Sequence, residues 1–350
     1  MLTITLRDLQ WRARRFGLGV AAASLVFAVT LLLAGVYSSF QAEASRTVGT
    51  FHADRWIVPA GVSGPFTAST PVSQETLKTV SAMPGVRSAE GVALFRNVVH
   101  KGSDEKLVNV IAAGPGGLFH TPIVAGRNLR GSLEAVADER MGFHVGDRVS
   151  VGSVPVRVVG LTRGLTYLAG TPAIVLSLVD GQRLTYHGEG LASAVITRGV
   201  PRGPGMGGLQ AMSSADVVSD LRRPMKGATT TIAVQALILS VVAAAIIGLM
   251  AYLSGLDRML DFAVFKAIGV RTEKLLAGLV LQVLLLAFVA AAVAGGIARL
   301  MAPAFPIGVR FTLGTYLALL GLALGVSFVV SLVSLRQAVR VDPALAFGRN

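Results

Sequence analysis

No cysteine occurs in the 350 residues, so this chain holds neither a disulfide framework nor a thiolate metal site. Charge is also scarce, at 15% of residues against about 25% in an ordinary soluble domain. The scarcity is local: residues 17–39, 228–255, 275–298 and 311–335 carry no charge at all. Each run can cross a hydrocarbon core of about 30 Å as a helix, so the chain reads as an integral membrane α-helical protein with four transmembrane helices. No Asp, Glu, Lys, Arg or His lies inside any run, which argues against a proton- or ion-coupled carrier. Gln235 and Gln282 are the most polar groups there apart from hydroxyls, and Gln282 suits a bond to another helix. A cleaved signal peptide is the rival reading of 17–39, since Ala42-Glu43-Ala44 supplies a small-residue cleavage pattern. Signal cores run about 7–15 residues; the longer run here favours an uncleaved span.

Catalytic constellations are missing too. The histidines at 52, 100, 120, 144 and 187 are scattered, with none paired at i+3 or i+4, so no metal site is expected. There is no G-x-S-x-G elbow and no G-x-x-x-x-G-K-[ST] loop, so the chain cannot by itself hydrolyse ATP in P-loop fashion. Residues 203–208 fit G-x-G-x-x-G by letter, but Pro204 suits a phosphate cradle poorly and no βαβ unit surrounds it. That stretch reads as a flexible loop. Asp104-Glu105 reads as a turn and Asp138-Glu139 as a helix start. The expectation is no catalytic residue, no metal and no cofactor in this chain.

What charge there is flanks the spans. The net charge of +13 is best explained by the phospholipid surface and calls for no nucleic acid. Residues 1–16 form an amphipathic segment, with Leu2, Leu6, Leu9 and Ala13 on one face and Trp11 suited to headgroup depth. Arg12, Arg14 and Arg15 precede the first span; Arg258, Lys266, Arg271 and Lys274 lie in 256–274; Arg336, Arg340 and Arg349 lie in the tail, 336–350. By the positive-inside rule these three segments are cytoplasmic. Residues 40–227 and the short loop 299–310 are then outside, and both termini inside.

Residues 40–227 alternate strand and helix signals and read as one α+β domain between the first and second spans. Trp56-Ile57-Val58 predicts a short strand. Ser73 caps a helix that Pro84-Gly85 stops near Met83. Hairpins are predicted for 92–100 with 106–113 about Gly102-Ser103-Asp104, and for 148–151 with 154–160 about Gly152-Ser153. Residues 192–198 read as another strand, and Ser213 or Ser214 caps a helix over 216–223.

The segment 257–274 is the one charged stretch between two long uncharged runs. At helical spacing Leu260, Ala263, Val264 and Ala267 form an apolar stripe, while Arg258, Asp261, Phe262 and Phe265 fall on the opposite side. Arginine and aromatics together suit a face that docks on another protein. An ordinary loop whose aromatics lie back on lipid is the alternative. Gly269 can end that helix.

Four stretches resemble a known family, the permease subunits of MacB/FtsX-type ABC systems. Arg258, Asp261, Lys266, Ala267 and Gly269 match its R-x-x-E-x-x-x-x-K-A-x-G coupling helix, with Asp for the usual Glu. The tail RQAVRVDPALAFG, which contains Asp342 and Pro343, resembles the family tail. VGDRVSVGSVPVRVVG within 135–160 and DLQWRARRFGLGV near the start are similar as well, and residues 52–59, HADRWIVP, are similar to the DevC-like branch. The resemblance implies a permease that forms a homodimer in a bacterial cytoplasmic membrane. It implies two copies of a separate ABC ATPase, which alone carries ATP and Mg²⁺. It implies mechanotransmission, in which the spans pass the ATPase movement to the outer domains, and a membrane-fusion or envelope protein as a further partner. Arg258, Asp261, Phe262, Phe265 and Lys266 would contact the ATPase, with Asp342 and Pro343 near the same surface. Export or other extracytoplasmic work is the first reading. An FtsX-like non-transporting regulator of a cell-envelope enzyme is the alternative, and a signalling or adhesion protein with no ATPase is a third.

Overall fold

The computed structural model describes residues 13–67, 70–203, 206–257, 272–305, 308–309, 311–318, 320–322, 324–325 and 328–329. The fold divides into two compact units, Met1–Ser39 with Thr229–Asn350, and Phe40–Ala228.

Among the described residues, long apolar runs without internal proline give three helices long and apolar enough to cross a membrane. Helix α1 covers Ala13–Gly49, and runs well past the 17–39 predicted for the span. The other two, α5 (Lys226–Asp257) and α6 (Thr272–Met301), are numbered in chain order after the helices of the second unit. Ala23, Phe27 and Leu31 of α1, one turn apart, share a buried cluster with Ala243 and Ile247 of α5 and Ala287, Ala290, Ala294 and Ala298 of α6. Small residues at helical spacing let helices approach closely where no hydrophobic drive separates protein from lipid. Leu237, Ile238, Val241 and Leu249 of α5 face outward, as lipid-facing side chains do. Gln282 is buried. In the fourth uncharged run the described residues include a shorter apolar helix, Leu313–Leu322.

The second unit is a mixed sheet with short helices. Its elements are β1 (Arg55–Pro59), α2 (Gln74–Ser81), β2 (Val86–Lys101), β3 (Asp104–Ala113), β4 (Ile123–Gly126), β5 (Glu134–Asp138), β6 (Arg148–Val151), β7 (Val154–Thr162), β8 (Thr166–Tyr167), β9 (Thr171–Ser177), α3 (Leu178–Tyr186), β10 (Ala194–Gly199), β11 (Leu209–Met212) and α4 (Ser214–Arg222). Both expected hairpins form, β2 with β3 and β6 with β7. Ser73 caps α2, and Ser213 caps α4 through a capping box with Asp216. Asp138 caps a single 3₁₀ turn, Glu139–Met141.

The sheet runs β11-β1-β10-β2-β3-β9-β5-β7-β4, and β6 pairs with both β2 and β7. Strands β2, β3, β9, β5, β7 and β6 therefore close into a ring. Two of its joints, β3 with β9 and β5 with β7, are parallel. Alternation along each strand divides the side chains between two cores. Val108, Val110 and Ala112 of β3, Ala135 and Ala137 of β5, and Ile174 and Leu176 of β9 fill one cluster. Ile111, Ala113, Val136, Ala173 and Val175 belong to the other, with Trp56, Val217, Leu221 and the end of α1. The latter core holds an aromatic group in which the Phe51 ring lies 4.7 Å from Trp56 and 4.8 Å from Phe119.

Several elements lack a local signal. Helix α3 carries Gly181 in its middle, a position that weakens a helix. The glycine is there because a Cβ would lie 2.2 Å from the Ala112 Cβ, so only glycine lets α3 lie down on β3. Strand β5 shows no hairpin turn, because both its partners, β7 and β9, are distant in the chain.

Beside β5, Arg127 clasps Glu134 through two bonds of 2.9 and 2.5 Å, and the Arg130 backbone N–H adds a third at 2.8 Å. The guanidinium foremost, with these N–H donors, holds the Glu134 carboxyl down at about 2. A carboxyl held below its ordinary value of about 4.3 adds stability that is fully present above that value and is lost as pH falls through about 2. The Glu134 carboxyl carbon resonance is expected to titrate near 2 in the native protein and to return toward the ordinary range in Arg127→Met. A native midpoint above 4 would contradict the clasp.

Candidate functional site

The residues marked for ATPase docking, Arg258, Asp261, Phe262, Phe265, Lys266, Gly269, Asp342 and Pro343, lie outside the described residues. Pro204, in the glycine-rich loop, does so as well. Among the described residues no group of three or more His, Asp or Glu converges as a metal site would require.

What the second unit does assemble is a grip on the last turns of α1. From Phe40 onward this helix belongs to the unit, and Ala44 and Val48 are buried in the same cluster as Leu165 and Tyr167. Glu43, 6% exposed, accepts the Gly170 N–H at 2.9 Å. One turn on, the Thr47 hydroxyl donates to the Thr166 carbonyl at 2.7 Å. Residues 43 and 47 are i and i+4, so both point to one side of the helix and meet the two ends of the β8–β9 hairpin. Arg222, at the end of α4, donates to the Gln41 carbonyl at 2.6 Å and the Ser45 hydroxyl at 3.2 Å. Beyond the helix the Thr50 carbonyl accepts the His120 N–H at 2.8 Å. Ala42-Glu43-Ala44, read above as a cleavage pattern, thus lies within an unbroken helix.

The gripped hairpin is itself unusual. Its turn holds Leu168, Ala169 and Gly170 at φ of 56°, 69° and 76°. The left-handed region suits Gly170 but is disfavoured for Leu168 and Ala169. Asn109, fully buried, spans the hairpin from β3: its amide donates to the Tyr167 carbonyl at 2.6 Å and the Thr171 carbonyl at 3.1 Å. Burial of the Tyr167 phenol raises its pKa far above the ordinary value. Asp220 of α4, also buried, accepts the Phe66 N–H at 3.1 Å and the Thr67 hydroxyl, and so fixes the loop that carries Phe66 against Tyr167.

A small cleft opens beside the grip. Phe119, Val136 and Val175 form its apolar floor, and His120, Thr121 and Asn128 are its polar groups. Among the described residues its lining includes no carboxylate.

Residues 233–343 match the FtsX-like permease C-terminal family. Over 348 residues, 99% of each chain, the sequence is 40% identical to the uncharacterized ABC transporter permease Rv2563 of Mycobacterium tuberculosis strain H37Rv. The chain belongs to the ABC transporter permeases. A second permease of that organism, Rv0072, is 38% identical over the same length. Among solved structures, the periplasmic region of MacB from Actinobacillus actinomycetemcomitans is similar, at 12% identity and a TM-score of 0.39, over 51% of this chain and 95% of that one. The extracellular domain of YknZ, a noncanonic ABC-type transporter from Gram-positive bacteria, is similar at 11% identity and a TM-score of 0.36, over 46% of this chain and 100% of that one. On the FtsX-like match and the permease relatives, the MacB/FtsX-type assignment drawn from the motifs holds. With three helices fit to span a bilayer, this permease is a membrane protein.

Sequence reading did not find Glu43, Thr47, Asn109 or Arg222. Each is a lone polar residue without a motif. Only the burial of Glu43 and Asn109 marks them, and burial depends on the fold.

Proposed function

We propose that this permease is the transmembrane subunit of an ATP-driven system that works by mechanotransmission. A separate ATPase, two copies bearing the ATP and Mg²⁺, closes on nucleotide. Four spans from each of two permease copies carry that motion to the second unit, which does export or other extracytoplasmic work. The full-length match to ABC transporter permeases carries the reading. The charge-free spans support it, because they offer no ionisable relay for an ion-coupled alternative. The grip on α1 supports it too: a continuous helix ending in a buried, hydrogen-bonded socket is suited to passing on displacement. Affinity purification from native membrane is the test. An ABC ATPase should co-purify in equal copy number, and the permease freed of it should neither bind nor turn over ATP. Recovery without any ATPase, under conditions that preserve membrane complexes, would overturn the reading; an envelope hydrolase recovered with permease and ATPase would favour the FtsX-like alternative.

The topology we propose has the N-terminus, 257–274 and the C-terminus in the cytoplasm, with 40–227 outside in a bacterial cytoplasmic membrane. Native cysteine is absent, so a single cysteine at position 104, an exposed site on the β2–β3 hairpin, reports its side cleanly. It is expected to react with a membrane-impermeant thiol reagent on intact cells. Reaction only after permeabilisation would invert the topology.

A further inference from the structure

The turn Leu168-Ala169-Gly170 puts two non-glycine residues in succession into the left-handed region. Such a conformation persists only where its surroundings hold it. Two of the holding contacts are internal to the sheet: the Asn109 amide across Tyr167 and Thr171, and the Thr171 hydroxyl donating to the Leu168 carbonyl at 3.0 Å. The contact at the tip comes instead from α1, where Glu43 takes the Gly170 N–H. Glu43 is buried, so the contact does not soften gradually: a carboxylate drawn out of reach must find water or another donor. At 2.9 Å the bond has little slack. An axial shift of the helix by one residue's rise, about 1.5 Å, or a modest rotation, takes it beyond hydrogen-bonding reach.

We propose that Glu43 is the positioning residue through which displacement of α1 reaches the second unit, and that the Leu168-Ala169-Gly170 turn is the catch it holds. With Glu43 seated the turn stays left-handed. When the helix shifts, the Gly170 N–H is freed, the turn relaxes, and the β8–β9 hairpin moves against β3. Thr47, one turn along and bonded to the Thr166 carbonyl, rides on the same helix, so the same displacement acts on the base of the hairpin. This role rests on the mechanotransmission reading.

The test is amide hydrogen exchange on the full-length permease in lipid nanodiscs with the ATPase that co-purifies with it, without nucleotide and with ATP plus vanadate. Exchange in 166–172 is expected to rise about tenfold or more with nucleotide, as local opening of a held segment does. Glu43→Ala should make exchange there high in both states. Glu43→Gln, whose amide oxygen still accepts the Gly170 N–H, should restore the nucleotide response. Ala169→Gly relieves the turn without touching the helix and should shrink that response. A nucleotide response elsewhere in 40–228 that leaves 166–172 unchanged would overturn the role of Glu43 alone, as would a Glu43→Ala protein that responds like wild type. A complex that hydrolyses ATP but shows no change anywhere in 40–228 would overturn mechanotransmission, and this role with it.

Discussion

Phe262→Asp combined with Phe265→Asp is expected to release the ATPase on purification while the permease still inserts and dimerises. At helical spacing both rings lie on the side of Arg258 and Asp261, away from the Leu260/Ala263/Val264/Ala267 stripe. Aromatic anchors seated in a desolvated pocket are typically worth about 2 kcal/mol or more on truncation, over tenfold in affinity for each. Charge in place of a ring adds a desolvation penalty, so the pair should abolish recovery of the partner. Leu260→Asp, on the stripe assigned to packing against the spans, should instead lower the amount of inserted permease. Co-purification of the ATPase with each variant, normalised to inserted permease, decides between them. A double Phe variant that keeps its partner, beside a Leu260→Asp protein that inserts normally and loses it, would exchange the two faces.

Trp56→Ala is expected to cost the second unit about 3–5 kcal/mol, the range for emptying a buried aromatic site. Trp56 is fully buried in β1, between β10 and β11, where it stands opposite Ile196 and Met212. Its ring packs on Phe51 at 4.7 Å and Phe66 at 6.0 Å, so the cavity would open where α1, β1 and the 64–67 loop meet. Against a typical domain stability of about 5–15 kcal/mol, such a loss is large. Trp56→Phe should cost far less, within about 1.5 kcal/mol, because the buried indole N–H has no hydrogen-bond partner among the described residues and its removal forfeits no bond. Pulse proteolysis of the intact permease across a urea series reads both: Trp56→Ala should be cleaved within 40–228 at much lower urea than wild type, and Trp56→Phe near it. Equal midpoints for the two variants would show that the aromatic group does not hold the unit together.

The hairpins and helix caps were legible because their causes are adjacent in the chain. Gly102-Ser103-Asp104 and Gly152-Ser153 turn strands that pair directly, and Ser73 and Ser213 bond backbone groups three residues on. The docking reading of 257–274 rests on one helical repeat, and its candidate residues lie outside the described residues. Ring closure was not legible. It depends on β3 meeting β9, β5 meeting β7, and β6 reaching β2, joints between strands that no short turn connects. Helix α3 was hidden behind Gly181, a local cost accepted for close contact with Ala112.

Membrane character, the places of the apolar spans, the family and the absence of a P-loop follow from the sequence by itself, because charge is excluded from lipid wherever it falls and motifs are read along the chain. The closed ring of strands, the two cores that share its alternating side chains and the seat of Glu43 were decided only by tertiary structure. Glu43 and Gly170 are 127 residues apart, and Arg222 and Gln41 are 181 apart. An isolated glutamate carries no sign of its partner until folding removes water from around it; burial then makes one N–H at 2.9 Å the contact that matters.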